Sequence, residues 1–387
     1  MGSTYGVWWR RRLTPLLLLA SCGLLPPDKA DVTIAHRPLA CQALPGIVGA
    51  EDITIDQRTG LAYLSSADRR AVLNGALPSA PDGTVGKIYR MDVRATPPIV
   101  WDVTPEGLSE KGFYPHGISL FTRRDGSTRL FVINHHAHRD RAGLRWAASS
   151  GDETVELFDI AASDSGPDLL RQTEPSIRGA GLISPNDLTA VGERQFYVTN
   201  EHGVGPGINQ TIRDLIGANN GDVQYFDGSR FQHVLTLPWA NGIQADPAAH
   251  RLYVASAARG TITTLAWTNA HPASPLPDVR PLPTGTGVDN IELMPGHTGE
   301  LLVAAHPAPL RLIAFAYQIA ASAPTQILTV TREGVTEILR VEGNETAADQ
   351  IAAASVAAAW TNPKTGRQRL VIGSIFSNRV LICDPAN

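Results

Sequence analysis

Five pairs of adjacent residues contain side chains that could bind a metal ion or transfer a proton. All five pairs come ahead of similar apolar runs. The pairs are Glu51-Asp52, His116-Gly117, Asn186-Asp187, Asn241-Gly242 and Asp289-Asn290, with Ala354-Ser355 at the corresponding place of a sixth run. Asn-Asp suits a surface turn, so any one pair could simply cap its own turn. Because five pairs recur at equivalent places, we predict that their carboxylate, carboxamide and imidazole groups converge on one site.

The apolar runs that follow these pairs form a six-fold repeat. They are LAYLSS, RLFVINH, QFYVTNEH, RLYVASA, ELLVAAH and RLVIGSI, beginning at residues 61, 129, 195, 251, 300 and 369. Strand-forming residues dominate them, and a turn-like segment and another short strand-like run come before most of them. Roughly 50–70 residues between units leave room for two more strands in each, so the repeat predicts an all-β, six-bladed β-propeller with a central channel. The alternatives are a β-sandwich or a solenoid, and residues 211–220 are the best helix candidate.

In a propeller, equivalent positions lie on a ring around the central axis, so these polar groups would meet at one mouth of the channel. Calcium takes about six to eight oxygen ligands from carboxylates, carboxamides, carbonyls and water. Glu51 and Asp289 supply the charge that neutralises one Ca²⁺, and Asn186, Asn241 and Asn290 add neutral oxygens. Thiols and clustered imidazoles are scarce here, which disfavours zinc and copper. Since Asp289 and Asn290 are adjacent, the chain must turn between them for both to bind one ion.

Strand alternation predicts a second, deeper ion. Adjacent side chains of a strand point to opposite faces, so Glu51 and Asp52 should not both bind the first ion, and neither should Asn186 and Asp187. Asp52 and Asp187 could therefore hold a second Ca²⁺, helped by a nearby backbone carbonyl such as that of Ile118.

The first 22 residues have the features of an export signal. Three arginines, Arg10–Arg12, precede the apolar run LTPLLLLASC, which is too short to span a bilayer as a mature helix. Leu19–Cys22 resembles a bacterial lipobox, so we expect Cys22 to be lipidated and to tether an exported, periplasm-facing protein to a membrane of the bacterial cell envelope. Residues 23–40 would then be a linker and residues 41–387 the propeller domain. The alternatives are an ordinary signal peptide and, given the arginines, a twin-arginine route.

The two other cysteines lie near the ends of the mature chain. An exported protein permits disulfides, and the ends of a propeller usually meet in one blade. We therefore predict a Cys41–Cys383 disulfide that latches the closing blade. The alternative is two unpaired buried thiols.

Composition and missing motifs exclude several classes of function. The chain is 43% hydrophobic and 18% charged, which is typical of a globular protein. The formal net charge is −4, with no basic cluster in the predicted mature region, which argues against a nucleic-acid partner. No G-x-S-x-G nucleophile elbow, P-loop or dinucleotide fingerprint occurs, which disfavours serine hydrolases and nucleotide-dependent enzymes.

An ordered series of motifs along residues 41–383 resembles the serum paraoxonase/arylesterase family. The motifs are GAEDITI, YPHGIS, VINH, ETVELF, SPNDLTAVG, FYVTNEH, ANGI, VDNI and IGSIF, the last followed by Cys383. No single motif is decisive, but their order is specific and both terminal cysteines are in place. The resemblance implies a six-bladed propeller with two calcium ions in its channel that hydrolyses lactones, aryl esters and, in some members, organophosphates.

The resemblance also assigns roles to individual residues. It implies a catalytic calcium bound by Glu51, Asn186, Asn241, Asp289 and Asn290, and a structural calcium bound by Asp52, Asp187 and the carbonyl of Ile118. It places the family's histidine pair at His116 and His135 and a further active-site residue at His202. This chain departs from the family at residues 136–152, which look like an insertion, at 203–222, which differ from the family's active-site cover, and in its lipobox.

For ester or lactone hydrolysis we expect His116 to be the general base, since imidazole titrates near neutral pH, and His135 to orient it. Calcium would polarise the carbonyl and stabilise the developing oxyanion, with asparagine amides as further donors. Glu51 or Asp289 could instead activate water at the metal. Each of the three histidines could also be a structural residue.

Two other functions stay open from the sequence. A gluconolactonase/regucalcin-type propeller would hydrolyse sugar lactones with one metal, but it would not explain Asp52, Asp187 or the terminal cysteines. A non-catalytic propeller would use calcium for stability alone and bind a periplasmic partner. Glu51 and His116 argue against that alternative, because a scaffold needs no base beside an open metal. The expected partner of an enzyme is a small-molecule lactone or ester.

Overall fold

The structure, a computed structural model, describes residues 30–74, 85–108, 112–140, 143–146, 153–161, 169–203, 221–268, 271–275 and 280–386. Strands dominate these residues: one two-stranded hairpin is separate, and the other strands form six sheets of mainly antiparallel strands around a common axis. Each sheet contains one unit of the sequence repeat, which confirms the six-bladed β-propeller. The predicted lipobox, including Cys22, lies outside the described residues and stays a prediction.

The strands follow the chain blade by blade, after β1 (Val32–Ile34) and β2 (Leu39–Pro45). Blade 1 contains β3 (Ala50–Asp56), β4 (Leu61–Ala67), β5 (Gly86–Asp92) and β6 (Ile99–Asp102). Blade 2 contains β7 (Pro115–Thr122), β8 (Thr128–Asn134) and, after a hairpin of β9 (Ala137–Asp140) and β10 (Gly143–Trp146), β11 (Thr154–Ala161) and β12 (Leu169–Gln172). Blade 3 contains β13 (Pro185–Ala190), β14 (Phe196–Asn200), β15 (Gly221–Phe226) and β16 (Phe231–Leu237).

The second half of the chain continues the pattern. Blade 4 contains β17 (Ala240–Asp246), β18 (Arg251–Ser256), β19 (Thr261–Thr268) and β20 (His271–Pro275), with β21 (Leu282–Pro283) paired to β19. Blade 5 contains β22 (Gly287–Leu293), β23 (Leu301–His306), β24 (Thr325–Val330) and β25 (Val335–Val341). Blade 6 contains β26 (Ala354–Thr361), β27 (Gln368–Ser374) and β28 (Arg379–Pro385).

The first strand of each blade lines the central axis, and these six strands contact one another in a closed ring. The ladder to the second strand is irregular at one similar place in every blade. The irregularities lie at Ala50–Asp52, Pro115–Ile118, Pro185–Leu188, Ala240–Ile243, Val288–Ile291 and Ala354–Val356. The sequence predicts that the polar pairs lie just before the first strand of each blade, and that prediction is wrong. The pairs lie within the strands at these irregularities, where a bulge re-aims the side chains.

Hydrophobic clusters fill the space between neighbouring blades, and six of them within the described residues complete the ring. Successive side chains of a strand point to opposite faces, so one strand serves two clusters. Leu130 packs with residues of blade 1, whereas Phe131 packs with Phe196 of blade 3. Moving one blade would disturb both neighbours, so this packing fixes the inner strands and the polar pairs that they carry.

The N-terminal end of the described chain closes the ring. Strand β2 pairs antiparallel with β28, and Cys41 lies directly opposite Cys383. A disulfide joins them with an S–S distance of 2.05 Å, which confirms the predicted bond and its place in the closing blade. Strand β1 falls in the predicted 23–40 linker, but it pairs in parallel with β25 at the outer edge of blade 5. The described part of that linker therefore belongs to the propeller.

Two helices occur in the described residues, each in a connection between the second and third strands of a blade. They are α1 (Arg69–Asn74) in blade 1 and α2 (Pro309–Ala316) in blade 5. The sequence does not predict them, because both are short and bury few apolar side chains. The helix candidate at 211–220 lies outside the described residues. None of the described helices has the length and apolar character needed to cross a membrane.

Candidate active site

The polar pairs and several connecting loops share one mouth of the channel. Each inner strand begins at this mouth, and the second strand runs back toward it because the two are antiparallel. The connections that follow the second strands therefore surround the same opening, including α1, the β9–β10 hairpin and α2. Side chains from six strands and from these loops can meet there.

Close approach of the inner strands requires glycine in two of the pairs. A Cβ atom at Gly117 would lie 2.6 Å from the Cα atom of Asp187. One at Gly242 would lie 2.5 Å from the backbone oxygen of Asp289. Both distances are too short for a real side chain, so the polar pairs of neighbouring blades are in direct contact.

Four buried oxygen atoms at this mouth have no hydrogen-bond partner among the described residues. They are Glu51 Oε2, Asn186 Oδ1, Asn241 Oδ1 and Asn290 Oδ1. Each belongs to a predicted ligand of the first calcium. An unsatisfied buried acceptor costs about 1–3 kcal/mol, whereas a hard cation bound among these oxygens would satisfy them. The donor set therefore fits calcium.

The asparagine amides are essential to that set, because it contains only two carboxylates. Within the part of the chain that the structure describes, no three His, Cys, Asp or Glu side chains lie close enough to hold a metal ion. The second carboxylate, Asp289, is 3% exposed, and its Oδ2 lies 2.7 Å from Nε2 of His306. Burial raises the pKa of Asp289, and the hydrogen bond from His306 offsets part of the rise.

Glu51 has the most contacts of the predicted ligands. Nδ2 of Asn290 donates to Oε1 of Glu51 at 2.9 Å, and Oγ of Ser355 donates to the backbone oxygen of Glu51 at 2.6 Å. The guanidinium of Arg69 lies 3.9 Å from Oε2. Burial alone would raise the pKa of Glu51, but His116 and Arg69 lower it to about 2. Glu51 therefore carries its negative charge at neutral pH.

The structure brings His116 and His135 together. Nδ1 of His116 lies 2.8 Å from Nε2 of His135, and Nε2 of His116 lies 3.5 Å from Oε1 of Glu51. Glu153 extends the row, with its Oε2 2.6 Å from Nδ1 of His135. Burial lowers the pKa of His116 to about 4 despite the charge of Glu51. The imidazole is therefore neutral at pH 7 and able to accept a proton.

Asp52 and Asp187 each link two blades. Asp52 accepts a hydrogen bond at 2.7 Å from the N–H of Ile118 in blade 2, and Asp187 accepts one at 2.8 Å from Ile243 in blade 4. Burial and the charge of Glu51 raise the pKa of Asp52 to about 8. Burial and the charge of Asp52 raise the pKa of Asp187 well above its ordinary value. The sequence predicts the carbonyl of Ile118 as a ligand and misses the role of its N–H.

His202 lies at the same mouth, two residues after the end of β14. Its backbone N–H donates to Oγ of Ser184 at 2.7 Å, and its ring stands edge-on to Trp239 with 6.1 Å between the ring centroids. The predicted divergent cover begins here, but residues 204–220 lie outside the described residues. The predicted insertion at 136–152 is described in part, as the β9–β10 hairpin that follows His135.

Comparison with known families identifies the group to which the propeller belongs. The sequence model of the arylesterase family matches residues 33–384. This chain belongs to the arylesterase family. Serum paraoxonase/arylesterase 1 of Homo sapiens is 28% identical over 353 residues, which are 89% of this chain and 88% of that protein. Serum paraoxonase/lactonase 3 of Mus musculus is 25% identical over 358 residues, 90% of either chain.

Further proteins are similar to this chain in sequence or in structure. Serum paraoxonase/arylesterase 2 of Gallus gallus is 28% identical over 291 residues, 74% of this chain and 75% of that protein. Among solved structures, a gluconolactonase from Xanthomonas campestris is 15% identical over 93% of this chain and 96% of that chain, with a TM-score of 0.47. That last likeness is too loose to bear on function. Membership of the arylesterase family supports an esterase or lactonase type of hydrolase.

Three residues of this arylesterase-family site are missed by sequence reasoning: Arg69, Glu153 and His306. All three follow the second strand of a blade or end it, outside the polar pairs. The run ELLVAAH ends in His306 as RLFVINH ends in His135, and that correspondence could have identified it. Arg69 and Glu153 have no counterpart in the repeat, and although Glu153 begins the motif ETVELF, that motif alone assigns it no role.

Proposed function

We propose that this protein is a calcium-dependent hydrolase of lactones and aryl esters. The observation that carries the proposal is the group of unpaired buried oxygens next to a hydrogen-bonded histidine pair. The two relatives named for arylesterase and lactonase activities support both classes of substrate.

The first calcium would be held by Glu51, Asp289 and the amide oxygens of Asn186, Asn241 and Asn290. When bound, it would polarise the substrate carbonyl and stabilise the oxyanion. The hydrogen bond from Asn290 to Glu51 leaves the Asn290 oxygen free for the ion. Burial of the whole group excludes competing water and strengthens each of these electrostatic contacts.

His116 would take the proton of the attacking water at its Nε2. That nitrogen faces Glu51, on the side of the proposed metal, while Nδ1 is occupied by His135. The base is therefore held in place by a hydrogen bond at Nδ1, and its Nε2 is available to accept a proton. The pKa of His116 near 4 keeps it neutral before the reaction, and the ionised carboxylate of Glu51 would stabilise the imidazolium that forms.

The second calcium would be held by Asp52, Asp187 and the backbone carbonyl of Ile118. Each carboxylate accepts backbone hydrogen bonds yet retains further lone pairs for a cation. Two neighbouring buried carboxylates whose pKa values are both raised are a costly arrangement, which a cation between them would relieve. Because Asp52 and Asp187 already link blades 1 to 2 and 3 to 4, such an ion would be structural.

Hydrolysis by the purified protein is expected to fall at least about 10²-fold with excess chelator and to return with calcium, since the oxyanion would lose its main stabiliser. Short- and long-chain γ- and δ-lactones and phenyl acetate form the substrate panel. Magnesium is the matched control, because it prefers a smaller, octahedral site and should not restore the rate. Unchanged turnover in chelator would contradict calcium dependence. No turnover with calcium bound and the fold intact would favour a binding scaffold.

Calcium binding near pH 7 is expected to release protons. In the calcium-free protein the pKa of Asp52 is about 8, so this carboxyl is largely protonated near pH 7, and the pKa of Asp187 is raised well above its ordinary value. A cation requires carboxylates, so binding displaces the protons. Calorimetric titrations in two buffers of different ionisation enthalpy measure the number released, and a value of zero would count against the second ion.

The same two groups predict how stability depends on pH. At these two groups the calcium-free folded state binds more protons than the unfolded state between the ordinary aspartate pKa of about 4 and the pKa of Asp52 near 8, and His116, whose pKa is lowered to about 4, offsets only part of this difference. The free energy of unfolding of the calcium-free protein is therefore expected to fall as the pH rises through that window. Denaturant unfolding at pH 5 and pH 8 with chelator tests this, and saturating calcium should abolish the difference.

A further inference from the structure

We propose that Glu153 is a positioning residue that fixes the protons on the rings of both His135 and His116. The inference rests on the proposed function, in which His116 is the base. Glu153 is 4% exposed and His135 is 1% exposed, and their hydrogen bond of 2.6 Å is buried. A charge-assisted bond in so dry a place is strong and directional.

The backbone places Glu153 opposite His135. Strands β8 and β11 pair antiparallel, with Asn134 facing Thr154. The next residues outward, His135 and Glu153, are therefore cross-strand neighbours, with Cβ atoms expected about 4.5–5.5 Å apart. The predicted insertion at 136–152 lies between them, so this hydrogen bond closes its base. The pairing of β8 with β11, and not the inserted loop, therefore brings Glu153 and His135 into contact.

The row of groups allows one assignment of protons when Glu153 is ionised. A carboxylate only accepts hydrogen bonds, so Nδ1 of His135 must donate to it. In a neutral imidazole the other nitrogen carries no proton, so Nε2 of His135 accepts from Nδ1 of His116. Nε2 of His116 then has no proton and is free to take one from water.

Without Glu153 that order is no longer imposed. His135 could carry its proton on Nε2 and donate it to His116, which would move the proton of His116 to its own Nε2. The base would then be blocked at the one nitrogen that faces the proposed metal. Glu153 therefore acts on the reaction through its hydrogen bond to His135 and does not itself contact the substrate.

The test compares the purified protein with Glu153→Met, which keeps the side-chain length and removes the acceptor. Imidazole ¹⁵N chemical shifts report which ring nitrogen is protonated. We expect Nδ1–H on both His135 and His116 in the wild type, and loss of that fixed tautomer at His135 in the variant. We expect kcat to fall on the order of 10²-fold with KM little changed, because a positioning contact supports the reacting state.

Glu153→Gln is the rescue variant, since its amide oxygen can accept the same hydrogen bond without the charge. It should restore Nδ1–H at His135 and most of kcat, and it keeps the proposal testable if Glu153→Met fails to fold. Glu337→Met is the matched control. Glu337 is 3% exposed and its Oε1 lies 2.7 Å from Nε2 of His36 in blade 5. This change should lower stability but leave the tautomers and kcat unaltered.

The two readouts separate the two proposals. Failure of the wild type to hydrolyse any ester or lactone would overturn the proposed function, while the ¹⁵N shifts would still test the role of Glu153. Wild-type tautomers in a folded Glu153→Met protein, or an unchanged kcat, would overturn the assignment of Glu153. A fall in kcat that Glu153→Gln fails to rescue, with tautomers unaltered, would reduce Glu153 to a structural residue.

Discussion

Glu51→Gln is expected to lower kcat/KM for lactones and aryl esters on the order of 10²–10³-fold and to weaken calcium binding. The change removes one of two negative charges from the proposed ligands of the first ion. An amide oxygen can still accept the hydrogen bond from Asn290, so the local fold should persist. The fall in kcat/KM and in calcium affinity would therefore result from the lost negative charge and not from a change in side-chain shape. Steady-state kinetics over a calcium titration, with calcium affinity measured by calorimetry, give both quantities.

The control for Glu51→Gln is the same change at Glu337, which is equally buried but lies in an outer strand of blade 5. Glu337→Gln should leave kcat/KM and calcium affinity at the wild-type values. If Glu51→Gln kept the wild-type affinity and rate, Glu51 would not be a calcium ligand. A variant with wild-type affinity and a lower rate would assign Glu51 to catalysis alone.

The ring of polar pairs could be predicted because one unit of sequence is repeated six times. A single Asn-Asp pair cannot be distinguished from a turn, but equivalent positions of a closed repeat must lie around one axis. The unpaired oxygens of Asn186, Asn241 and Asn290 fit that convergence. The disulfide was predictable for the same reason, since a closed ring brings the chain ends into one blade.

The bulges could not be predicted, and they change how the pairs are used. Regular alternation sends Glu51 and Asp52 to opposite faces, and the two do have different partners: Asn290 for Glu51 and the N–H of Ile118 for Asp52. The alternation of side chains along a strand does not reveal that the pairing between the first and second strands shifts register at the polar pair in every blade. Nor does it show that Asp52 reaches the backbone of the next blade, because that contact joins residues far apart in sequence.

The supporting residues were missed for a different reason. Arg69 and Glu153 come from connections that differ from blade to blade, so the repeat carries no information about them. Arg69 donates to the backbone oxygens of Gly49 and Pro115, both at 3.0 Å, and so ties blade 1 to blade 2 just ahead of Glu51 and His116. Only the folded chain brings these groups together. Sequence patterns thus identify the groups at the centre of the site, whereas the contacts that orient them depend on tertiary structure.

Replacing both Cys41 and Cys383 with alanine is expected to lower the free energy of unfolding by about 5–6 kcal/mol in the chain-entropy account. The bond closes a loop with a sequence separation of 342, which strongly restricts the unfolded chain. It also joins the only strand of blade 6 that comes from the N-terminal end of the described chain. Without it, the hydrogen bonds and packing of β2 and the contacts between blades 1 and 6 would hold the ring shut.

Denaturant unfolding at fixed calcium measures this loss as a lower midpoint. A reductant should shift the wild-type midpoint to that of the double variant and leave the double variant unchanged, which separates the disulfide from the loss of two side chains. Since the inner strands form one continuous ring, opening the seam should also loosen Glu51 of blade 1 against Ser355 of blade 6. Calcium affinity should therefore fall together with stability. Equal midpoints for the wild type and the double variant would show that the β2–β28 ladder closes the propeller without the disulfide.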